Sequence, residues 1–260
     1  MSIFAALNQA IGAEDPIALA TVIDGANVGA KLLVGPAQPV LGSLGDPDLD
    51  RVVARDARGE LEAGTNTVRH YGAHGEARES AVGVFIESFA PPPQMFIFGA
   101  VDFTGALVKV AKVLGYRVTV CDAREMFATR RRFPQADEVV VDWPHRLIEQ
   151  VGPSLGTRDT VCVLTHDHKF DIPAIVAALG TGVGYLGVMG SRRTQAERVE
   201  RLRAEGVSRD QIDRIMAPIG LDIGARTPEE TAIAICAEII ALRTGREAPS
   251  LRLSAGPIHR

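Results

Sequence analysis

The sequence predicts an α/β protein in which a Rossmann-like, doubly wound parallel sheet follows a smaller α+β domain. Three observations carry this. "FAPPPQ" at Phe89 to Gln94 is a seam, because consecutive prolines lack amide donors and hold the chain extended. After it, fully apolar runs alternate with amphipathic helical patterns, as a sheet covered on both faces demands. Before it, short β-favouring pieces are separated by Gly and Pro. The predicted domains are 1–90 and 94–260.

In the first domain a helix-like Ile3 to Ile11 precedes "PIALATVI", "AKLLVG", "PVLGSLG", "NTVRHYG" and "VGVFIESF". In the second, the strands are "MFIFGA", "RVTVCD", "EVVVDW", "TVCVLTH" and "GYLGVMG", with helices from about Thr104, Arg146, Ile172 and Thr194. A last helix starts at "TPEE", with Thr227 as N-cap, Pro228 at the first helical position and Glu230 as capping-box partner. It runs through "TAIAICAEIIALR", apolar around most of its circumference, so it is expected to be buried against the sheet or at a subunit interface.

Composition is that of an ordinary globular chain: 260 residues, 46% hydrophobic, 23% charged, net charge -4. That balance makes no electrostatic case for nucleic acid, and Arg130-Arg131-Arg132 reads as a solvated helix face. Cys121, Cys162 and Cys236 lie in apolar runs without metal-finger spacing, which suits a reducing compartment. The N-terminus does not read as a signal peptide and no apolar run approaches membrane-spanning length.

In an open parallel sheet, function concentrates at the carboxyl ends of the strands. There stand Gly99 to Gly105, Asp122 and Arg124, Thr165-His166-Asp167-His168 with Asp171, and Gly190-Ser191-Arg192-Arg193. Gly99 and Gly105 permit a tight strand-to-helix turn, but Val101 puts a β-branched side chain where a pyrophosphate needs glycine, and Asp102 adds a negative charge. Both features weigh against NAD(P). Asp122 has the spacing of a ribose-binding acid and Arg124 could pair with a phosphate, which keeps a dinucleotide reading open. His166 and His168 point the same way if the extended geometry persists; hydrogen-bonding or acid/base use of His166 and Asp167 is favoured over a metal, because no third ligand is fixed by spacing. Ser191, Arg192 and Arg193 at a helix start suit a phosphate- or pterin-like ligand. In "PIGLDIGA", Leu221 and Ile223 suggest packing into the domain beside the one acid, Asp222.

"FIFGA", "VTVCDAR" continuing to "FATRRRFPQAD", "VCVLTHDHKFD", "YLGVMGSRRT" and "RIMAPIGLDIGARTPEETAIAICAEI" together resemble the C-terminal Rossmann domain of the xanthine dehydrogenase accessory proteins of XdhC/CoxI type. The resemblance implies a cytoplasmic maturation factor for a molybdenum hydroxylase. Such a factor binds the molybdenum cofactor, supports its sulfuration, delivers it to the apo-enzyme and self-associates; a sulfurase is a further partner. The matching positions are Thr165, His166, Asp167, Gly190, Ser191, Arg192, Arg193, Gly220, Asp222, Gly224 and Glu229. Before the seam, "ATVIDGANVGAKLLV" and "VLGSLGDPDLD" parallel family segments, with Asp46, Pro47 and Asp48 where a Gly-Gly-Cys turn often stands and Asp50 in place of a Glu. That change removes a soft thiolate. Two readings stay beside this one: an NAD(P)-dependent oxidoreductase, and a non-catalytic ligand-sensing partner.

Overall fold

A computed structural model describes residues 2–253 except Gln38 and His166. The chain divides into two units, Met1–Pro91 and Pro92–Arg260.

The first unit runs α1 (Ile3–Gly12), β1 (Ile17–Asp24), β2 (Lys31–Val34), β3 (Leu41–Ser43), α2 (Pro47–Ala63), β4 (Thr67–Tyr71) and β5 (Val82–Phe89). Its antiparallel sheet has the order β3-β2-β1-β5-β4. Strand alternation sends Ala18, Ala20, Val22, Leu32, Val84 and Ile86 to one face, where Leu49, Val53, Ala57 and Leu61 of α2 cover them. Ile17, Leu19 and Leu33 meet Ile3, Ala6, Leu7 and Ala10 of α1 on the other. The 17-residue helix α2 is a departure from the sequence reading, which takes Asp46-Pro47-Asp48 as a turn. Asp46 is the N-cap, accepting from the amides of Asp48 and Leu49 at 3.0 Å each, Pro47 begins the helix, and Gly64 ends it in the left-handed region at φ 67°. Asp50 accepts from the Leu44 amide at 2.6 Å. These carboxylates serve local folding.

The second unit is β6 (Gln94–Phe98), α3 (Asp102–Val113), β7 (Arg117–Cys121), β8 (Glu138–Val140), α4 (Pro144–Val151), β9 (Thr160–Val163), α5 (His168–Leu179), β10 (Tyr185–Val188), α6 (Arg192–Ala204), α7 (Arg209–Asp213), β11 (Ile215–Met216) and α8 (Pro228–Arg243). Its strands are all parallel, in the order β11-β10-β9-β6-β7-β8. Met95, Ile97, Val118, Val120 and Cys162 face α3 and α8; Phe96, Phe98, Val161, Val163 and Val188 face α4 and α5. The sheet is thus doubly wound. Helix α8 buries Ala232, Ile235, Cys236 and Ile239 but leaves Ile233 and Ile240 exposed.

Two local expectations change. Residues 122–137 are not helical, and Arg130 and Arg132 are structural donors: Arg130 to the carbonyls of Ala136 and Asp137, Arg132 to Ala100 at 2.9 Å. Ile223, expected to pack inward, is 56% exposed. No helix among the described residues is long and apolar enough to cross a membrane.

Candidate functional site at the carboxyl edge

The order of the parallel sheet creates the site. From β6 the chain crosses to β7 on one side, and from β9 to β10 on the other, so the loops after β6 and β9 diverge from a common crevice. Gly99 lies where they touch: its φ is +109°, and an added Cβ would fall 2.9 Å from the Thr165 amide nitrogen. Glycine is required here by backbone conformation and by contact together. Thr104 Oγ1 donates to the Gly99 carbonyl and accepts from the Val101 amide at 3.3 Å, which sets the turn. Val101 packs against the α3/α8 core, so it occupies a phosphate-type turn as a packing residue. The Asp102 side chain is 94% exposed, with Arg132 Nη2 at 3.7 Å.

Asp122, at the end of β7, is saturated. Its Oδ2 accepts from the Ala100 amide (2.8 Å) and Arg124 Nη2 (2.7 Å), and its Oδ1 accepts from Arg124 Nε and the Arg124 amide (2.9 Å each). Burial pushes this carboxyl up, but Arg124 and the two amides outweigh it and hold it below the ordinary carboxylate value. Arg124 also lies 4.5 Å over the Phe127 ring. The residue read as a ribose acid is therefore spent on fastening the β6 loop, and the arginine read as a phosphate ligand is its partner.

After β9, Thr165 Oγ1 donates to Asp171, and Asp171 Oδ2 faces Arg198 Nη2 at 3.2 Å. Arg198 also donates to the Met189 carbonyl (3.0 Å) and to Gln195 Oε1 (2.8 Å). Burial pushes the Asp171 carboxyl above its ordinary value, opposed by Thr165 and Arg198. Arg198 is absent from the sequence reading; its signal is register, since Arg198 and Leu202 are the buried residues of α6 at i, i+4. His166 lies outside the described residues. Asp167 is extended, at φ -104° and ψ 116°, and caps α5 by accepting from the Lys169 amide at 3.1 Å, so the helix begins at His168. The Asp167 carboxyl is held below its ordinary value, first by that amide and also by Lys169. It is an acceptor at neutral pH. His168 Nδ1 is buried without a hydrogen-bond partner among the described residues.

After β10, Gly190 has φ +150° and Ser191 caps α6 by accepting from the Thr194 amide at 3.1 Å. Arg193 pairs with Glu197 at 3.2 Å, whereas exposed Arg192 makes no ion pair or hydrogen bond with a described residue. Asp222 is exposed on the loop where the Gly220 amide donates to Glu238 Oε2 at 2.9 Å. Exposed Glu229 stands at the start of α8, while Glu230 closes the capping box with Thr227. Sequence reasoning misses the loop after β8 altogether. It places Trp143, the sole tryptophan, as N-cap of α4 beside His145 and Phe170. A groove of about 690 Å³ runs between α4 and α5, lined by His145, Ile148, Leu155, Ile172 and Val176, apart from the glycine loops.

This edge offers hydrogen-bond donors, the Arg192 cation and the exposed carboxylates of Asp102, Asp167 and Asp222, but no exposed thiol: Cys121, Cys162 and Cys236 are free and buried. Burial pushes Cys121 and Cys236 up to about 12 and Cys162 well above its ordinary value, which favours the protonated thiol over the thiolate at all three. Among the described residues, no three His, Cys, Asp or Glu side chains converge as metal ligands.

Residues 95–239 match the XdhC Rossmann domain and residues 10–72 the XdhC and CoxI family. The chain is 30% identical over 165 residues to a protein of Bacillus subtilis named as a probable xanthine dehydrogenase subunit, covering 64% of this chain and 47% of that one. It is 27% identical over 166 residues to the molybdenum cofactor insertion chaperone PaoD of Escherichia coli, covering 64% and 45%. The matched region thus spans less than half of these relatives. A crystal structure described as a xanthine dehydrogenase from Bacillus halodurans shares the fold with a TM-score of 0.53 at 21% identity, over 96% of this chain and 98% of that one. The chain belongs to the XdhC and CoxI family, and its second unit is the family's Rossmann domain.

Proposed function

We propose that this chain serves the maturation of a molybdenum hydroxylase in the cytoplasm, gripping the pterin cofactor as cargo for the apo-enzyme. The observation that carries the reading is the division of labour at the carboxyl edge. Asp122, the residue a dinucleotide site would use on the ribose, is consumed by Arg124 and the Ala100 amide, whereas Arg192 is exposed and unpaired among the described residues at the start of a 13-residue helix. A guanidinium beside free helix amides suits the cofactor's phosphate. Membership of the family and the likeness to an insertion chaperone support the same reading.

With every cysteine buried, sulfuration draws its sulfur from a partner sulfurase, and this chain presents the cofactor. Self-association belongs to the reading as well. Exposed Ile233 and Ile240 follow the acidic Glu229-Glu230 end of α8 and precede its basic Arg243 end, so two copies of α8 laid antiparallel match apolar to apolar and acid to base. Sedimentation of Ile240→Glu as a monomer against a dimeric parent is the expected outcome.

Equilibrium dialysis against molybdopterin and against NAD(P) tests the function. Saturable molybdopterin binding, weakened about tenfold or more by Arg192→Ala with unchanged far-UV circular dichroism, is expected. NAD(P) binding with hydride transfer would instead support an oxidoreductase, and binding of neither would support the non-catalytic partner, sensing another ligand or purely structural.

A further inference from the structure

We propose that Trp143 is the stacking surface for a planar heteroaromatic ring, the pterin ring under the function proposed above, on which this inference rests. Trp143 is the only tryptophan of the chain, and it follows a strand of the parallel sheet at the edge where the ligand loops gather. Its loop is fastened to the neighbouring strand end: Cys121 Sγ donates to the Asp142 carbonyl at 3.2 Å, one residue before Asp122. Asp142 Oδ1 in turn accepts from the Trp143 amide at 2.7 Å.

The indole is backed on the protein side. Phe170, in the first turn of α5, lies 5.0 Å from it with rings tilted by 51°, and His145 meets it edge-on at 5.9 Å. Phe170 is only 7% exposed, yet 36% of Trp143 remains open to solvent. A large aromatic held rigid at a ligand edge, packed from behind and open in front, is a preformed platform with little conformational entropy left to lose.

A second observation points the same way. Among the described residues, two imidazole nitrogens on the helices that hold the indole are buried without a hydrogen-bond partner: His145 Nδ1, on the ring that meets the indole edge-on, and His168 Nδ1, in the helical turn that supplies Phe170. Unsatisfied buried polar atoms are uncommon and signal a missing partner. A heteroaromatic ring carries both ring nitrogens and exocyclic oxygen or amino groups along its edge, which an apolar ligand lacks. Stacking itself tolerates any such ring, so a purine base and a pterin share this chemistry, and the two must be separated by experiment.

The single tryptophan makes the test direct. In the full chain, molybdopterin, neopterin and AMP are titrated while acrylamide quenching of the Trp143 fluorescence is followed, with binding measured independently by equilibrium dialysis. Bound molybdopterin is expected to shield Trp143 from acrylamide. Trp143→Phe is expected to keep affinity within about threefold, while Trp143→Leu, which keeps bulk without an aromatic face, loses about tenfold or more. Molybdopterin binding that leaves Trp143 accessible and is unchanged in Trp143→Leu overturns the platform and leaves the proposed function standing. Shielding by AMP but not by molybdopterin keeps the platform and removes the cofactor reading; no binding of any of the three removes both.

Discussion

Two aspartate–arginine pairs sit at the same edge of the parallel sheet and do opposite jobs. Asp122 and Arg124 are two residues apart, and the arginine side chain is 46% exposed. Asp171 and Arg198 are 27 residues apart, with side chains 1% and 0% exposed. The first pair is made within one loop and leaves its cation accessible to solvent and to the Phe127 ring. The second rivets α5 to α6, and through Thr165 and the Met189 carbonyl it fixes the loops after β9 and β10. The same two functional groups thus act as a loop clasp where water is near and as a tertiary rivet where it is not. Both carboxylates are buried, Asp122 at 4% exposure and Asp171 at 1%, so the difference lies in desolvation of the cation: a fully buried pair is weak evidence of net stabilisation, but breaking one half leaves a charge with no compensation.

The largest expected effect follows from that asymmetry. Arg198→Ala strands Asp171 in a dry site and should cost about 3–5 kcal/mol of stability. Urea unfolding followed by Trp143 fluorescence reads the second unit alone, since that unit holds the only tryptophan. Replacing both partners, as Arg198→Met with Asp171→Leu, should recover much of the loss, because no unpaired charge remains. A single variant within about 1 kcal/mol of the parent would show that the buried pair is not a rivet.

A smaller effect is expected at the contact between the two loops. Gly99→Ala forces a side chain into the left-handed region at φ +109° and toward the Thr165 amide, where the ideal Cβ lies at 2.9 Å. A loss of about 2 kcal/mol is expected in the same unfolding measurement. Gly105→Ala is the control: nothing lies within 4 Å of an added Cβ there, and the residue is inside α3, so no loss or a slight gain is expected.

The contrast between the pairs also explains what can be read in advance. Strands of the second unit are legible because apolar runs of four or five residues between glycines and helical patterns have one good solution, a covered parallel sheet. Helix starts fall two to four residues earlier than expected, at Asp102, Pro144, His168 and Arg192, because polar first turns such as His168-Lys169 look like loop until the cap is seen. Helix α2 is hidden by the same blindness: Asp46 and Pro47 make a helix start as readily as a turn, and its buried stripe of Leu49, Val53, Ala57 and Leu61 is diluted by charge. Asp122 and Arg124 are legible as a unit since they are local. Arg198 is not, because nothing near it in sequence announces Asp171. Trp143 escapes for a different reason: it follows a short third strand whose end carries no glycine or charge cluster of the kind that marks the other loops, although the rule that strand ends carry function applies to it equally.

The smallest and most discriminating test uses pH. The folded-state pKa of Asp122 is lowered, so its stabilising contribution is present above the unfolded aspartate value near 3.9 and is lost as pH falls through the lower folded value. Asp171 is raised, and the sign reverses: protonation becomes relatively more favourable in the folded state as pH falls, and that contribution is lost as pH rises through the raised value. Asp122→Asn should therefore cost about 1.5 kcal/mol at pH 7, where a charge-assisted hydrogen-bond set is removed, and progressively less below pH 4 as the parent loses the same charge. The stability difference between Asp171→Asn and the parent should not shrink with acid in that way, because its carboxyl already gives up charge at higher pH. If the two variants trace parallel curves from pH 7 to pH 3, the clasp and the rivet do not differ in desolvation, and the distinction drawn between the two pairs fails.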